Sequence, residues 1–401
     1  MKTFFLKYKY PVTFLLYIFL ITYLSRNAEL VFEWVIIMRD FDIHGDYYYY
    51  GKPTAHMPPL YPYYLLVVQS ISPADYWTVV SCIIQSVIYF FSVKFLTQTF
   101  EKLTPKAGNF YPAFAALLFF PPILTGLTKI SSFALTVSIF CIFIGLIVRV
   151  NSCFSRRTVI FTAVISVLGM YIRYEFIFLM LFSAMLLAAH QKIKIRQAIL
   201  VLPFVFLVYL PWCIRNYQKI GVFHYSTSLN YNFAKGNHVR YNVLSSANLP
   251  YDPQKDLVPT DDYLREHFHS EKEIDAYMES LGKQFTSEHR SLFLVNSLKK
   301  IGINFTNYYP GNYNFSGSVI SWLYAGFLTA FNLLFLFALA IRLREKSFIT
   351  IFTGVLFLFF LIFYSVAPLP RYYLLYFPVF FLFVYQHVSL HRHVRILNKN
   401  S

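Results

Sequence analysis

Residues 29–46 carry Glu29, Glu33, Asp40, Asp42 and Asp46, with His44 among them, directly after an apolar run at 11–25. Carboxylates beside a membrane are costly to desolvate. Such a group is either a solvated acidic loop or a set of acids put to use. Alternation of Asp42, His44 and Asp46 would suit a divalent metal, but a flexible loop produces that spacing by chance, and none is assigned. Cations stand in other polar breaks: Lys129 in TKIS, Arg173 in RYE, Arg215 in PWCIRNY and Arg371 in LPRYY. A lone arginine at the end of a span snorkels, and several facing an anionic leaflet bind lipid headgroups. The sharper expectation is one phosphate held by guanidinium forks.

The elements that must position these groups are membrane spans. The 401 residues are 57% hydrophobic, 20% aromatic and 13% charged, against about 25% charged in soluble domains. Apolar runs at 11–25, 76–97, 110–127, 131–149, 158–172, 175–190, 198–213, 319–341, 348–366 and 372–388 read as spans. The first follows Lys2, Lys7 and Lys9 without a cleavage site and reads as a retained anchor. Basic clusters at 94–106, 149–157, 192–196, 342–346 and 391–395 place the connecting loops and both termini in the cytoplasm. Parity then holds only if HMPPLYPYYLL at 56–66 does not cross, so a short interfacial or re-entrant helix is expected there. It also requires 158–172 and 175–190 to be two helices.

Two outer segments remain, at 26–75 and 214–318. In the first, Glu29 and Glu33 are expected one turn apart on one face of a surface helix, with Trp34 at the headgroups. The second reads as two or three lid helices, with Asp261 or Thr260 as a cap and a capping box at Ser270/Glu273. Asn304 and Asn314 lie in glycosylation sequons, which matter only in a secretory pathway. The net charge of +16 is explained by loop topology, and no motif for nucleic acid is present. Cys82, Cys141, Cys153 and Cys213 lack the spacing of a zinc site or disulfide framework.

PTAHMPPLYPYYL, IRYEFIFL, PWCIRNYQKIGVFHYSTSLNYNFAKGN and LPRYYLLYFP follow one another in the chain. In order and spacing they resemble the GT-C membrane glycosyltransferases related to protein O-mannosyltransferases and to aminoarabinose transferases of lipid A. The resemblance spans nearly the whole chain and implies a single all-α transmembrane domain, 1–401, of about 10–11 membrane helices with juxtamembrane helices on the outer face. It implies a polyprenyl-phosphate sugar donor, a glycan, lipid or protein acceptor, and no cofactor, with a divalent metal left open. Such a reaction needs a carboxylate to take the acceptor's proton and cations for the departing phosphate. By position the carboxylate is Glu29, with Glu33 as alternative. Lys129 is the charge nearest the next expected site, and Arg173, Arg215 and Arg371 fall on recurring basic positions. His56, Tyr61, Asn216, Asn237 and Tyr372 fall in the matching motifs as substrate contacts. A second acid usual in the family is missing from TKISSFALT, so Glu29 acts alone, or Asp42 or Glu175 substitutes, or the chemistry has been lost. A bacterial inner membrane with a periplasmic site is the expected location. A flippase of lipid-linked sugars and a silent relative are the competing readings; the first should show internal repeats and mid-membrane charges, and neither is evident.

Overall fold

The computed structural model describes residues 2–30, 32–105, 109–237, 261–306, 319–365 and 370–399. The chain opens with α1 (Lys2–Leu24), strand β1 (Glu29–Leu30) and α2 (Phe32–His44). A hairpin of β2 (Tyr48–Tyr49) and β3 (Lys52–Pro53) leads to α3 (Leu60–Ile71). The bundle continues through α4 (Trp77–Leu103), α5 (Tyr111–Leu118), α6 (Pro121–Leu127), β4 (Lys129–Ile130), α7 (Phe133–Ser152), α8 (Arg156–Ile172) and α9 (Phe176–Ala189). After α10 (Ile195–Ile199) and α11 (Val201–Ile220) come α12 (Ser228–Asn237), α13 (Asp261–His267), α14 (Glu271–Glu288) and α15 (Arg290–Thr306). The chain returns to apolar helices in α16 (Val319–Leu343), α17 (Phe348–Phe363) and α18 (Pro370–Lys399).

Among the described residues five helical stretches are long and apolar enough to cross a membrane: Trp77–Leu103, Phe133–Ser152, Ile195–Ile220, Trp322–Leu343 and Tyr372–Leu390. Tyr8–Leu24, Leu60–Ile71, Phe176–Ala189 and Phe348–Phe363 are shorter apolar helices. At 12 residues α3 rises about 18 Å, well short of a bilayer core, as the proline-rich stretch requires. α8 and α9 are two helices, separated at the RYE turn.

α7 lies at the centre and packs against α4, α8 and α18. Nearly every residue on it is buried, and Gly145 lets the Phe95 ring approach where an added Cβ would stand 2.5 Å from it. Small residues at such crossings let membrane helices pack closely. The expected span 110–127 is instead broken. Pro121 and Pro122 follow Phe120, whose backbone is extended (ψ 114°), because the residue before a proline is pushed out of the helical region. Serine caps start two helices: Ser155 accepts from the Thr158 amide at 3.1 Å, and Ser347 from the Thr350 amide at 3.4 Å.

Candidate active site

The loop after α1 does not begin as a surface helix. Glu29 and Leu30 form a parallel pair with Lys129 and Ile130, and α2 starts only at Phe32. Glu29 and Glu33 therefore do not share a helix face. The pairing sets the backbone of Glu29 beside that of Lys129, joining the loop after α1 to the TKIS turn. Trp34 is not a headgroup anchor either. It is buried, with its ring 4.9 Å from that of Tyr61, which is itself fully buried. Tyr61 is thus a core side chain.

α2 also takes in Asp40, Asp42 and His44. Asp42 and His44 then project about 200° apart around the helix, so they cannot close on one ion. Among the described residues no group of three His, Cys, Asp or Glu is arranged to hold a metal. Asp42 is exposed. Asp40 is buried, bonded to Arg39, and accepts the Gly51 amide at 2.6 Å. That bond fixes a turn in which Tyr50 (φ 55°) and Gly51 (φ 72°) both have positive φ, the two-residue geometry of tight hairpins. The left-handed backbone costs a tyrosine energy, and the surrounding bonds hold it there.

Arg215 docks this loop onto α11. Its Nη1 donates to the Thr54 carbonyl at 2.6 Å, and its Nη2 donates to the Tyr47 carbonyl at 2.8 Å and to Asp46 at 3.1 Å. The guanidinium lies over the Trp212 ring at 5.1 Å, and Lys219 reaches the other Asp46 oxygen at 3.1 Å. Burial pushes the Asp46 carboxyl up, but the Tyr47 amide, Lys219 and Arg215 outweigh it and hold it below the ordinary aspartate range. Asn216, next to Arg215, is buried and donates to the His224 carbonyl at 2.8 Å, securing the chain reversal that Gly221 (φ 71°) permits. Gly236 and Asn237 end α12, where Lys300 donates to the Gly236 carbonyl and burial lowers its ammonium to about 8.

Arg173 makes an ion pair with Glu175. Glu175 is buried, and among the described residues its second oxygen has no hydrogen-bond partner. The Arg173 guanidinium lies over Tyr372 at 5.0 Å, and Tyr364 stacks on Tyr372 at 4.4 Å. Arg173 and Tyr372 are thus in contact. Arg173 and Arg215 nevertheless each have an acid of their own. The backbone of Arg371 lies in the first turn of α18.

The first loop and the large loop enclose a cavity with about 830 Å³ of empty space, part of it open to solvent. Glu33, His56 and Lys52 line it from the first loop, and Glu271 and Asp275 of α14 from the other side. Glu271 closes the seam. It accepts from the Ala55 amide at 2.8 Å and from Thr227 Oγ1 at 2.5 Å, while the Thr227 amide donates to the Ala55 carbonyl at 3.2 Å. Lys52 donates to the Phe268 carbonyl at 2.9 Å. Burial raises the Glu271 carboxyl above the ordinary glutamate range, against hydrogen bonds from Thr227, Thr54 and Ala55 that lower it. Asp275 is raised likewise by burial, against Asn230 at 3.0 Å and His224. A carboxyl raised toward neutrality is a better proton acceptor at neutral pH than an ordinary one.

Of the expected site residues, then, the structure brings Glu33 and His56 into one cavity. It commits Arg215 and Asn216 to the loop's own structure and leaves Asp42 on the surface. Lys52, Glu271 and Asp275 were not anticipated. The one signal near them was Ser270/Glu273, which does cap α14: the Glu273 amide donates to Ser270 at 3.3 Å, and Glu273 accepts from the His269 amide at 2.8 Å. α13 begins at Asp261, and Thr260 lies outside the described residues.

Fold and site together define a predominantly helical integral membrane protein with a chamber lined by carboxylates and aromatic and apolar side chains. No family model matches the sequence, and no curated protein is similar to it. Among solved structures the chain is similar to ArnT from Cupriavidus metallidurans bound to undecaprenyl phosphate, with 10% sequence identity and a TM-score of 0.41, over 96% of this chain and 78% of that one.

Proposed function

We propose that the protein is a GT-C-type glycosyltransferase that moves a sugar from a polyprenyl phosphate to a glycan, lipid or protein acceptor on the outer face of a bacterial inner membrane. The observation that supports the reading is the chamber, lined by Glu33 from the loop after the first helix and by Glu271 and Asp275 from the large loop. The motif resemblance points the same way.

The chemistry asks for little else. A carboxylate takes the proton of the acceptor hydroxyl as that oxygen bonds to the sugar's anomeric carbon. The bond from that carbon to the phosphate oxygen breaks, and its electrons leave with the lipid phosphate. Glu29, by position, and Glu33, in the chamber, are the candidate bases. Lys129, Arg173 and Arg371 are the candidate phosphate partners, with Glu175 as the acid that phosphate displaces from Arg173. Arg215 instead positions the first loop, because its two terminal nitrogens donate to Thr54, Tyr47 and Asp46. A single displacement of this kind inverts the anomeric centre.

The test is transfer of label from a panel of radiolabelled polyprenyl-phosphate sugars into a crude lipid and glycan fraction. Purified protein is run beside Glu29→Gln and Glu33→Gln. Loss in one variant identifies the base. Full transfer by both variants removes these carboxylates from the mechanism. No transfer by the parent protein, with polyprenyl phosphate still bound, identifies a silent relative.

A further inference from the structure

The chamber's walls are unlike a phosphate site. Glu33, Glu271 and Asp275 outnumber the single ammonium of Lys52, whose Nζ already donates to the Phe268 carbonyl. A phosphate brought among these acids would meet like charge at close range, in a place where burial weakens screening. Apart from the hydroxyls of Thr54 and Thr227 and the imidazole of His56, the remaining lining is aromatic and apolar. Tyr49 and Tyr50 stand on the hairpin, Tyr231 stands opposite on α12, and Leu264, Ile274 and Met278 come from the large loop.

Flat aromatic rings and carboxylates in one cavity suit a ligand with an apolar face and a hydroxyl edge. A pyranose or furanose ring has both. Its C–H face packs on tyrosine rings, and its hydroxyls donate charge-assisted hydrogen bonds to carboxylate oxygens. The hairpin is also built to hold its rings still. Asp40 locks the Gly51 amide, and Tyr50 stays in the left-handed region at φ 55°. His56 adds a third constraint, since its ring lies parallel to Tyr49 at 6.0 Å and edge-on to Tyr231 at 5.1 Å.

The geometry points to a subsite for an uncharged sugar ring between the Tyr48–Pro53 hairpin and α14, separate from the place where lipid phosphate is held. The inference rests on the glycosyltransferase reading for the sugar's role, though not for its binding. One wall comes from each loop, so an occupant bridges the seam that Glu271 closes and favours the closed lid.

The test uses the full chain in lipid nanodiscs and saturation-transfer NMR. The probes are methyl glycosides of neutral hexoses and pentoses, with a sugar phosphate and inorganic phosphate beside them. Polyprenyl-phosphate binding is measured separately on the same samples. A neutral glycoside should give transfer from tyrosine protons, and Asp275→Asn and Glu33→Gln should each weaken its binding by about tenfold, the size of one lost charge-assisted bond. Tyr50→Ala serves as a variant that alters no charge, and it should abolish the signal from the ring face. Both phosphate probes should fail to compete. Polyprenyl phosphate binding without any glycoside binding would overturn the subsite and leave the enzyme reading intact. Glycoside binding without polyprenyl phosphate binding would keep the subsite and defeat that reading. Competition by inorganic phosphate at the same tyrosines would overturn the subsite's neutral character.

Discussion

Arg215→Met should release the first loop from α11. The arginine is 17% exposed and its partner Asp46 26%. Its loss strips a donor from the Thr54 and Tyr47 carbonyls and a charge from Asp46. Each hydrogen bond to a charged group contributes about 1.5–3 kcal/mol, and breaking a buried pair costs about 3–5 kcal/mol. Water can reach Asp46, and Lys219 remains 3.1 Å from it, so the loss is smaller than a sum of these terms. About 2–4 kcal/mol of local stability is the expected size. Hydrogen exchange reads it directly: amides of residues 47–55 should lose protection by about 30- to 1,000-fold, while those of α7 should not change. Arg215→Lys should recover less than half of the loss, because an ammonium cannot fork to two carbonyls and a carboxylate. Unchanged protection in Arg215→Met, or complete rescue by lysine, would refute the docking role. The pair also has a pH signature. The folded carboxyl of Asp46 lies below its unfolded value, so the unfolded chain binds more protons as acid is added. The stabilisation is present above the ordinary aspartate value of about 3.9 and fades as pH falls through the depressed one.

Glu271 and Asp275 shift the other way, so their effect on lid docking is strongest below the ordinary carboxylate values and is lost as pH rises through the raised ones. Exchange protection of α14, corrected for intrinsic rates, should accordingly fall across that window, and Glu271→Gln should flatten the fall. Gly145→Ala should destabilise the bundle by about 1–3 kcal/mol, because its Cβ meets the Phe95 ring, whereas Gly326→Ala has open space and should be neutral or stabilising; thermal unfolding in detergent separates them. Asn304 is buried and bonded to the Leu361 carbonyl at 3.3 Å, so its sequon should carry no glycan when the chain is made in a eukaryotic secretory membrane, as intact mass would show. Asn314 lies outside the described residues. If the large loop faces outward, the exposed Cys153 between α7 and α8 should react with an impermeant maleimide only after the membrane is opened, while Glu288→Cys should react in intact cells.

What the sequence made legible follows from what a bilayer demands. Long apolar runs have one stable form in lipid, so the helices appear where hydropathy puts them. The α5–α6 break was missed although Pro121-Pro122 stood in view, because hydropathy averages across a local backbone constraint that the residue before a proline must obey. The short helix at 60–71 was legible because parity and proline agreed. The site was harder to read. Position in the motif singled out Glu29, but its surroundings depend on a strand pairing with Lys129 across a long sequence separation, and no local pattern encodes that. The same is true of Arg215. Its residue type and position marked it as a phosphate ligand, yet Asp46 and two carbonyls from another segment take up both of its terminal nitrogens. A cation's role is set by what reaches it, and that is a tertiary fact. Glu271 shows the converse. It reads as an ordinary acid in the first turn of a surface helix, which the helix dipole alone would explain. Only when Ala55 and Thr227 close over it does burial raise its carboxyl and make it part of a chamber. Variants at the seam between the two loops, at Glu33 and Glu271, will therefore separate catalytic groups from docking groups faster than variants chosen by motif position alone.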